Sequence, residues 1–397
     1  MKKMVPNWSD LDSDLLSEIA DRISCLRDFI IFGVVCKSWR SVASPEKLNK
    51  LTKVPWLLLD KDDDDHNPRK FLSLSNDVIY RISLPKPREN RFNLGNYMFH
   101  SGIKENQYIL SSKGWYLMVE DNFQLSLLNP FSLSRIDLPH CFPSPHIRKF
   151  YLRYSEIFDF ALSFGPSATS EFTIMIVYFI RSAFEAKLVF WKNGDREWTN
   201  LDLKMKTINA KITYHNGRFY IPHVDFLKGF VVHEIDIRNS KSVSISSKSI
   251  TNPDPSLLPN RFWIVESSRV LMMVYQRLNS ESRDGRGYII GDRYCHVSHL
   301  YFVVQEIDFE KGELKEVSDL GDEAIFLGCY SSFLVDVSNE SRFKSNHIYF
   351  AENFRGTWTY HNRGVGVYSM IDGSSKPLFS EANNGYCCSS QWIEPRP

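Results

Sequence analysis

The chain lacks the segments that carry proteins into or across membranes. Its N-terminus, Met1 to Pro6, runs straight into polar residues without the apolar core of a secretory signal. The longest apolar run, Phe172 to Ile180, has about half the length that a membrane-spanning helix needs. This run therefore predicts a buried strand, and we expect a cytoplasmic or nuclear protein that does not associate with a membrane.

Paired cysteines and an excess of one charge are also absent. The seven cysteines form an odd set without a Cys-x-x-Cys pair, which favours reduced thiols over a disulfide framework. Lysine plus arginine number 48 and aspartate plus glutamate 47, so no global field draws the protein to nucleic acid. We therefore expect partners to be recognised by local shape, and no nucleic acid among them.

Motifs for catalysis or metal binding are weak. Cys295, His296 and His299 are metal-ligating residue types, but the second pair that a zinc site needs is missing. The stretch from Arg148 to Tyr154 interleaves basic and aromatic residues, as surfaces for single-stranded nucleic acid do. We expect no cofactor, no metal and no catalytic residue. An enzyme remains an alternative, because sequence alone cannot place convergent carboxylates.

The first 45 residues have a helical period. Asp12 is a suitable N-cap for the first helix, because its side chain can accept a hydrogen bond from a free backbone N–H. Two further short helices are predicted, over Phe29 to Val35 and over Cys36 to Ala43. Apolar residues of the first helix recur at spacings of three and four: Leu11, Leu15, Leu16, Ile19 and Ile23.

These helices resemble an F-box. The resemblance rests on Trp8-Ser9, on the leucine helix, and on the ending Val35-Cys36-Lys37-x-Trp39-Arg40-Ser41. It implies that residues 1–45 dock onto the Skp-type adaptor of a cullin-RING ubiquitin ligase. The family usually has Leu-Pro where this chain has Leu11-Asp12. The residues implied to bind the adaptor are Leu11, Asp12, Leu15, Leu16, Ile19, Val35, Cys36 and Trp39.

Beyond a short linker, residues 46–55, the pattern is that of β-structure. Short runs of β-branched and aromatic residues alternate with turn residues, as in Phe71 to Ile82, where Asn76 and Asp77 mark a turn. Asn193 and Asp236 follow similar strands and lie 43 residues apart, close to the length of one propeller blade. We therefore predict an all-β propeller over residues 56–397, with six or seven blades.

The same region resembles the KIB-type domain of plant F-box proteins. Ser112-Lys-Gly-Trp115, Leu128-Asn-Pro-Phe131 and Ser345-Asn-His-Ile-Tyr-Phe350 are among the phrases that carry this resemblance. With the F-box it implies a substrate receptor of an SCF-type ubiquitin ligase, in which the propeller binds a protein target. An F-box protein that binds its target outside a ligase is the remaining alternative.

The long stretch from Gln276 to His299 is the candidate for target binding. It is otherwise rich in serine and glycine, and arginine and tyrosine are enriched at binding hot spots. A disordered loop would have the same composition, so both interpretations stay open. The candidate residues are Arg277, Arg283, Arg286, Arg293 and Tyr294.

Overall fold

The fold was analysed on a computed structural model of the 397-residue chain. All statements below concern the residues that this structure describes. These are residues 8–23, 25–50, 54–59, 69–74, 77–82, 110–119, 124–140, 155–166, 171–180, 185–207, 210–225, 228–239, 242–251, 262–278, 300–328, 331–353, 363–379, 391–394 and 396.

The N-terminal part is helical. A 3-10 helix, Trp8–Asp10, precedes four α-helices. The α-helices are α1 (Ser13–Arg22), α2 (Leu26–Val34), α3 (Lys37–Val42) and α4 (Pro45–Lys50). Three of them were predicted, whereas all of α4 except Pro45 lies in the stretch, residues 46–55, that the sequence indicated as a linker. None of the helices in the described ranges has the length and hydropathy to cross a membrane.

The described strands form six sheets, each a propeller blade. Blade 1 contains β1 (Trp56–Leu58), β2 (Arg69–Ser73), β3 (Val78–Ile82) and β25 (Gln391–Ile393). Blade 2 contains β4 (Leu110–Ser112), β5 (Trp115–Val119), β6 (Leu125–Leu128) and β7 (Arg135–Asp137). Blade 3 contains β8 (Ser155–Leu162), β9 (Thr173–Ile180), β10 (Glu185–Lys192) and β11 (Thr199–Met205).

The other three blades follow in chain order. Blade 4 contains β12 (Thr213–His215), β13 (Arg218–Asp225), β14 (Gly229–Asn239) and β15 (Ser242–Ser249). Blade 5 contains β16 (Phe262–Glu266), β17 (Leu271–Leu278), β18 (Leu300–Asp308) and β19 (Glu313–Glu316). Blade 6 contains β20 (Glu323–Gly328), β21 (Ser332–Asp336), β22 (His347–Asn353), β23 (Arg363–Ser369) and β24 (Ser375–Pro377).

Most neighbouring strands pair antiparallel, and two features depart from a simple meander. In blade 6, β20 pairs parallel with β22, and β21 forms the inner edge. In blade 1, the C-terminal strand β25 pairs with β1, so that Trp56 lies opposite Ile393. The two ends of the propeller sequence therefore complete one sheet, which closes the ring.

Hydrophobic clusters join each blade to the next. The contacts of blades 1 and 2, 2 and 3, and 3 and 4 each have their own buried cluster. The contacts of blades 4 and 5, 5 and 6, and 6 and 1 have the other three. Six clusters at six contacts make the ring continuous. The prediction of a helical segment followed by a propeller of six or seven blades is confirmed, with six blades.

Two local predictions can be checked directly. The apolar run after Phe172 forms β9, whose residues from Ile174 to Ile180 are buried in the sheet. β2 and β3 form the predicted hairpin, and Asp77 in its turn has φ 56°, a left-handed conformation that aspartate tolerates better than most residues. Both predictions are confirmed.

Candidate functional site

Helix α1 separates two kinds of apolar side chain. Asp12 caps it by accepting a hydrogen bond from the Asp14 N–H at 2.9 Å. Leu16 and Ala20 face inward and pack with Phe29 and Phe32 in the small helical core. Leu15, beside Leu16 in the sequence, points instead into solvent. The helix therefore uses one apolar side for folding and leaves a second side uncovered.

Exposed large apolar side chains are concentrated in these helices. Eleven such side chains occur in the described residues, and six of them lie between residues 8 and 35. We call these six the apolar docking set: Trp8 (64% exposed), Leu15 (52%), Ile19 (38%), Ile31 (47%), Val34 (62%) and Val35 (53%). Exposed apolar surface is typical of interaction sites when it is contiguous, so this set is the candidate site for a partner.

Helix α3 supports this set. The Trp39 ring lies 4.7 Å from that of Phe32, and its Nε1–H donates to the Trp8 carbonyl at 3.1 Å. Arg40 donates to the Gly33 carbonyl at 3.2 Å, which ties α3 to the end of α2. Trp39 is half-buried and therefore positions Trp8 as well as filling the core.

The eight residues predicted to contact an adaptor have different environments. Leu15, Ile19 and Val35 belong to the docking set, and Asp12 is an exposed cap. Leu16 is buried, and Leu11 and Trp39 pack against the same core, so these three support the fold. Cys36 is half-buried at the start of α3.

Sequence reasoning missed three members of the docking set, Trp8, Ile31 and Val34. A signal for the last two was available, because in α2 the buried positions Leu26, Phe29 and Phe32 recur every three residues. Apolar residues off that stripe point away from the core. Trp8 precedes α1, outside its apolar period, and its carbonyl accepts a hydrogen bond from Trp39.

Helix α2 is fixed to the propeller. Cys25 and Leu26 belong to the buried cluster between blades 1 and 2. The Tyr80 hydroxyl donates to the Asp28 carboxylate at 3.1 Å, and the Tyr80 ring stacks on Trp56 at 4.6 Å. The helical segment therefore has a defined orientation on the ring.

Helix α4 adds a second connection. Leu48 packs against both the helical core and the cluster between blades 1 and 2. Lys47 Nζ donates to Ser17 Oγ at 2.6 Å and pairs with Asp21 at 2.8 Å. These contacts hold α1 on the chain segment that enters β1, so the stretch predicted to be a linker is a structural brace.

The centre of the ring is a polar channel. A cavity of about 380 Å³ is lined by residues at or near the inner strands of the six blades. Lys113 pairs with Glu266 at 2.9 Å, and Arg396 pairs with Glu394 at 2.6 Å. Four of the charged side chains of the channel therefore neutralise each other.

The remaining charged groups of the channel are less well paired. Asp159 is buried and accepts hydrogen bonds from the N–H groups of Phe160 and Ile212; burial raises its pKa to about 6. Burial also raises the pKa of Glu323, which lines the same cavity. The charge of Lys211 lowers the pKa of Asp159 and that of Arg269 lowers the pKa of Glu323, but burial is the larger effect in both cases. The channel suits polar ligands better than apolar ones.

Contacts run from the channel lining to the helical segment. A Cβ at Gly114 would lie 2.9 Å from that of Arg396, whose carbonyl accepts a hydrogen bond from Asn129 Nδ2 at 3.0 Å. Two residues further, the Phe131 ring lies 5.0 Å from that of Trp56, which stacks on Tyr80 below α2. The channel lining and the helices are thus joined by continuous contacts.

The candidate target-binding residues are only partly placed. Arg277 lies in β17, paired with Tyr301, and is therefore a strand residue rather than part of the predicted loop. The other four, Arg283, Arg286, Arg293 and Tyr294, lie outside the described residues. The strand ends on either side, Leu278 and Leu300, pair with each other. This pair lies at the opposite end of β17 from the Glu266–Leu271 pair, whose Glu266 lines the channel.

The metal-ligating residue types, the cysteines and the basic and aromatic stretch are only partly placed. Within the part of the chain that the structure describes, no group of three or more metal-ligating side chains comes together. Cys25 and Cys36 are free thiols. Cys295, His296 and His299, like the basic and aromatic stretch 148–154, fall outside the described residues.

Comparison with known proteins identifies both parts of the chain. Residues 71–369 match the model of the KIB1-4 beta-propeller family. An F-box protein of Arabidopsis thaliana, At2g17036, is 24% identical over 93% of this chain and 90% of its own length. F-box only protein 7 of the same plant is 25% identical over 82% of this chain and 80% of its own length.

Solved structures are more distant. The β-propeller domain of the Trilobed protease from Pyrococcus furiosus aligns with 82% of this chain and 79% of its own, at 8% identity and a TM-score of 0.34.

The family model covers well over half of the chain, and the relatives span its helices as well as its blades. The chain therefore belongs to the KIB1-4 β-propeller family, as an F-box protein of the kind found in plants.

Proposed function

We propose that this chain is the substrate-recognition subunit of an SCF-type cullin-RING ubiquitin ligase. The helical segment docks onto a Skp-type adaptor, and the propeller binds the protein target. The observation that carries the proposal is the apolar docking set, because a helical core of four buried side chains leaves six large apolar ones in water. Such a surface is stabilised by a partner that covers it.

The mechanism is proximity rather than chemistry by the chain itself. Cys25, Leu26 and the Tyr80–Asp28 hydrogen bond hold the helices in one orientation on the ring. A target bound to the propeller would therefore stay at a defined distance from the conjugating enzyme. This raises the effective concentration of its lysines and favours transfer.

The docking set can be tested by alanine substitution in the full-length protein. Leu15→Ala, Ile19→Ala and Val35→Ala together should weaken adaptor binding by about 3 kcal/mol, roughly two orders of magnitude, because each truncation removes partly exposed apolar surface. Titration of each variant with purified adaptor measures the loss.

A matched control uses three exposed apolar residues of the propeller. Leu133→Ala, Phe164→Ala and Ile371→Ala remove similar surface outside the helices and should leave adaptor affinity unchanged. Equal affinity of the two triple variants would show that the docking set does not bind the adaptor.

Two alternatives give different outcomes. A receptor that works outside a ligase would bind its adaptor but would not recruit the cullin when the cullin is added to that complex. An enzyme would lose turnover when a polar group of the channel is changed, for instance by Glu323→Gln, with adaptor binding intact. The proposed receptor should form the ternary complex with the adaptor and the cullin.

A further inference from the structure

Every blade ends in an outer strand whose outward edge no other described strand covers, and such edges can cause aggregation. Unpaired N–H and C=O groups can pair with another chain, so soluble proteins protect edges with charges, proline or short strands. Five of the six outer strands follow this rule. They are β3 with Arg81, β7 with Arg135 and Asp137, β11 with Asp202 and Lys204, β19 with three charged residues, and β24, which has three residues and ends at Pro377.

The outer strand of blade 4 lacks this protection. β15, Ser242–Ser249, has eight residues and is the longest outer strand of the described blades. Its one charged residue, Lys248, bonds through Nζ to the carbonyls of Phe309 and Glu310 in blade 5. Residues 242–247 therefore form an uncharged edge without proline, which no other described strand covers.

The side chains of this edge alternate in character. Val243 and Ile245 lie opposite Ile237 and Ile235 of β14, on one side of the sheet. Ser244 and Ser246 lie on the other side, opposite Asp236 and Glu234. Ile245 is 39% exposed although its partner on β14 is buried. An added strand could cover Ile245 and pair with the free backbone groups at the same time.

The edge is complementary to itself. If two copies pair antiparallel about Ser244, each Val243 lies beside Ile245 of the other copy, and serine lies beside serine. No like charges meet between residues 242 and 247, and the net charge of +1 gives no long-range repulsion between two chains. A charged edge such as β11 does not offer this match.

We propose that two copies of this chain associate through β15, which joins the two blade 4 sheets into one continuous sheet. The partner is a second copy because the pattern of this edge matches itself. A contact of one strand and its flanks is at the small end of specific interfaces, so we expect a dissociation constant on the order of 10 µM. The dimer would carry two docking sets and two propellers, and would retain targets with two recognition sites more strongly.

Sedimentation velocity of the full-length protein tests the association. Between about 1 and 100 µM, a range that brackets the expected constant, the wild type should change from monomer to dimer. Ile245→Lys places a charge against Val243 of the second copy, diagonal to the same new charge there, and should leave only monomer. Asn200→Lys, which adds the same charge to β11, should behave as the wild type.

Cross-linking tests the register. Residues directly opposite in an antiparallel pair have Cα atoms about 4.5–5.5 Å apart, a distance that a disulfide can bridge. Ser244→Cys should give a covalent dimer under mild oxidation, whereas Asn200→Cys should not. A wild type that stays monomeric at the highest concentration, or a dimer that survives Ile245→Lys in a variant with unchanged melting temperature, would overturn the proposal.

Discussion

His223 and His233 form a buried pair of imidazoles in blade 4. Their rings stack 4.9 Å apart on adjacent strands, and His233 Nδ1 lies 2.7 Å from Ser247 Oγ. Burial lowers the pKa of His223 below its usual value of 6.5. Burial, with the neighbouring charges of His223 and Lys228, lowers the pKa of His233 to about 4. Both rings are neutral in the folded protein near pH 7.

This pair predicts a loss of stability in acid. The unfolded chain takes up protons as the pH falls below 6.5, whereas folded His233 stays neutral until about pH 4. The contribution of His233 to stability is therefore complete above pH 6.5 and should fall by on the order of 3 kcal/mol between pH 6.5 and 4. Urea unfolding across this range should show a smaller loss for His233→Asn.

The pKa shift of Asp159 changes the pH dependence of stability in the opposite direction. Its folded pKa of about 6 lies above the ordinary 3.8, so the folded state holds a proton that the unfolded state has released. Its contribution is present below pH 3.8 and is lost as the pH rises through 6. The acid loss of Asp159→Asn should therefore be steeper than that of the wild type, and equal slopes for the three proteins would contradict both assignments.

The F-box family that this segment resembles usually has proline where this chain has Asp12, and the backbone at Asp12 permits the exchange. Its φ of −60° suits proline. Asp12→Pro loses the cap, about 1 kcal/mol, and restricts the unfolded chain by a similar amount, so stability should change little. Adaptor affinity should stay equal or rise, because an apolar ring replaces a carboxylate near Leu15.

Asp12→Ala is the matched control for this exchange. It loses the same cap without adding a ring or restricting the chain, so it should destabilise the protein by about 1 kcal/mol without gain in affinity. Calorimetric titration with the adaptor and thermal unfolding separate the two effects. Weaker adaptor binding by Asp12→Pro with unchanged stability would show that the carboxylate itself takes part in docking.

The apolar period of the sequence identifies helix α1 but does not tell which of its leucines is buried. Leu15 and Leu16 both fit the apolar helical period, yet one is exposed and the other buried. The period identifies the helix, but it cannot say which of two adjacent leucines faces the core when both sides are apolar. That choice depends on where Phe29 and Phe32 pack, which is a tertiary contact.

At the scale of elements, the predictions succeeded where a pattern is local. The β2–β3 hairpin is marked by its own turn residues, so it was found. Helix α4 was missed because its six residues have little helical period of their own. Its contacts, Leu48 between two clusters and Lys47 on Ser17 and Asp21, come from other parts of the chain.

The candidate target-binding segment can be removed without breaking its hairpin. Leu278 and Leu300 are directly paired, so deletion of residues 279–292 leaves seven residues to join two adjacent strand ends. Hairpin loops of two to five residues are common, so this connection closes easily. Melting temperature and adaptor affinity should be unchanged, while capture of the target should be lost.

A control for this deletion cannot be made by shortening the β13–β14 hairpin. Asp225 and Gly229 are paired, so deletion of residues 226–227 would leave one residue between them, too few for a turn. Replacement of residues 279–292 by a glycine and serine segment of equal length is better, because it keeps the span but removes Arg283 and Arg286. Target capture that survives both changes would place recognition elsewhere on the propeller.

At the scale of the whole molecule, the blade number could not be read from the sequence. The insertions between strands differ in length, so the repeat is regular only between Asn193 and Asp236. The strand order of blade 6 also differs from the order in the sequence, because β21 follows β20 in the chain but lies at the inner edge of the sheet. The number of blades follows from the strand pairing and from the six hydrophobic clusters between blades. Neither the paired strands nor the cluster residues recur at a fixed spacing in the sequence.

The ring is closed by β25, and Trp392 is the residue whose loss should show it most clearly. Its side chain is fully buried in the cluster between blades 6 and 1, and its carbonyl accepts a hydrogen bond from Ser331 Oγ at 2.6 Å. Trp392→Ala should lower the free energy of unfolding by about 3–5 kcal/mol, a large share of the stability of a typical domain. The exposed Trp8 is the matched control, and Trp8→Ala should cost about 0.5 kcal/mol or less while weakening adaptor binding. Urea unfolding measures both variants, and a cost below about 1 kcal/mol for Trp392→Ala would show that the ring does not depend on its C-terminal strand.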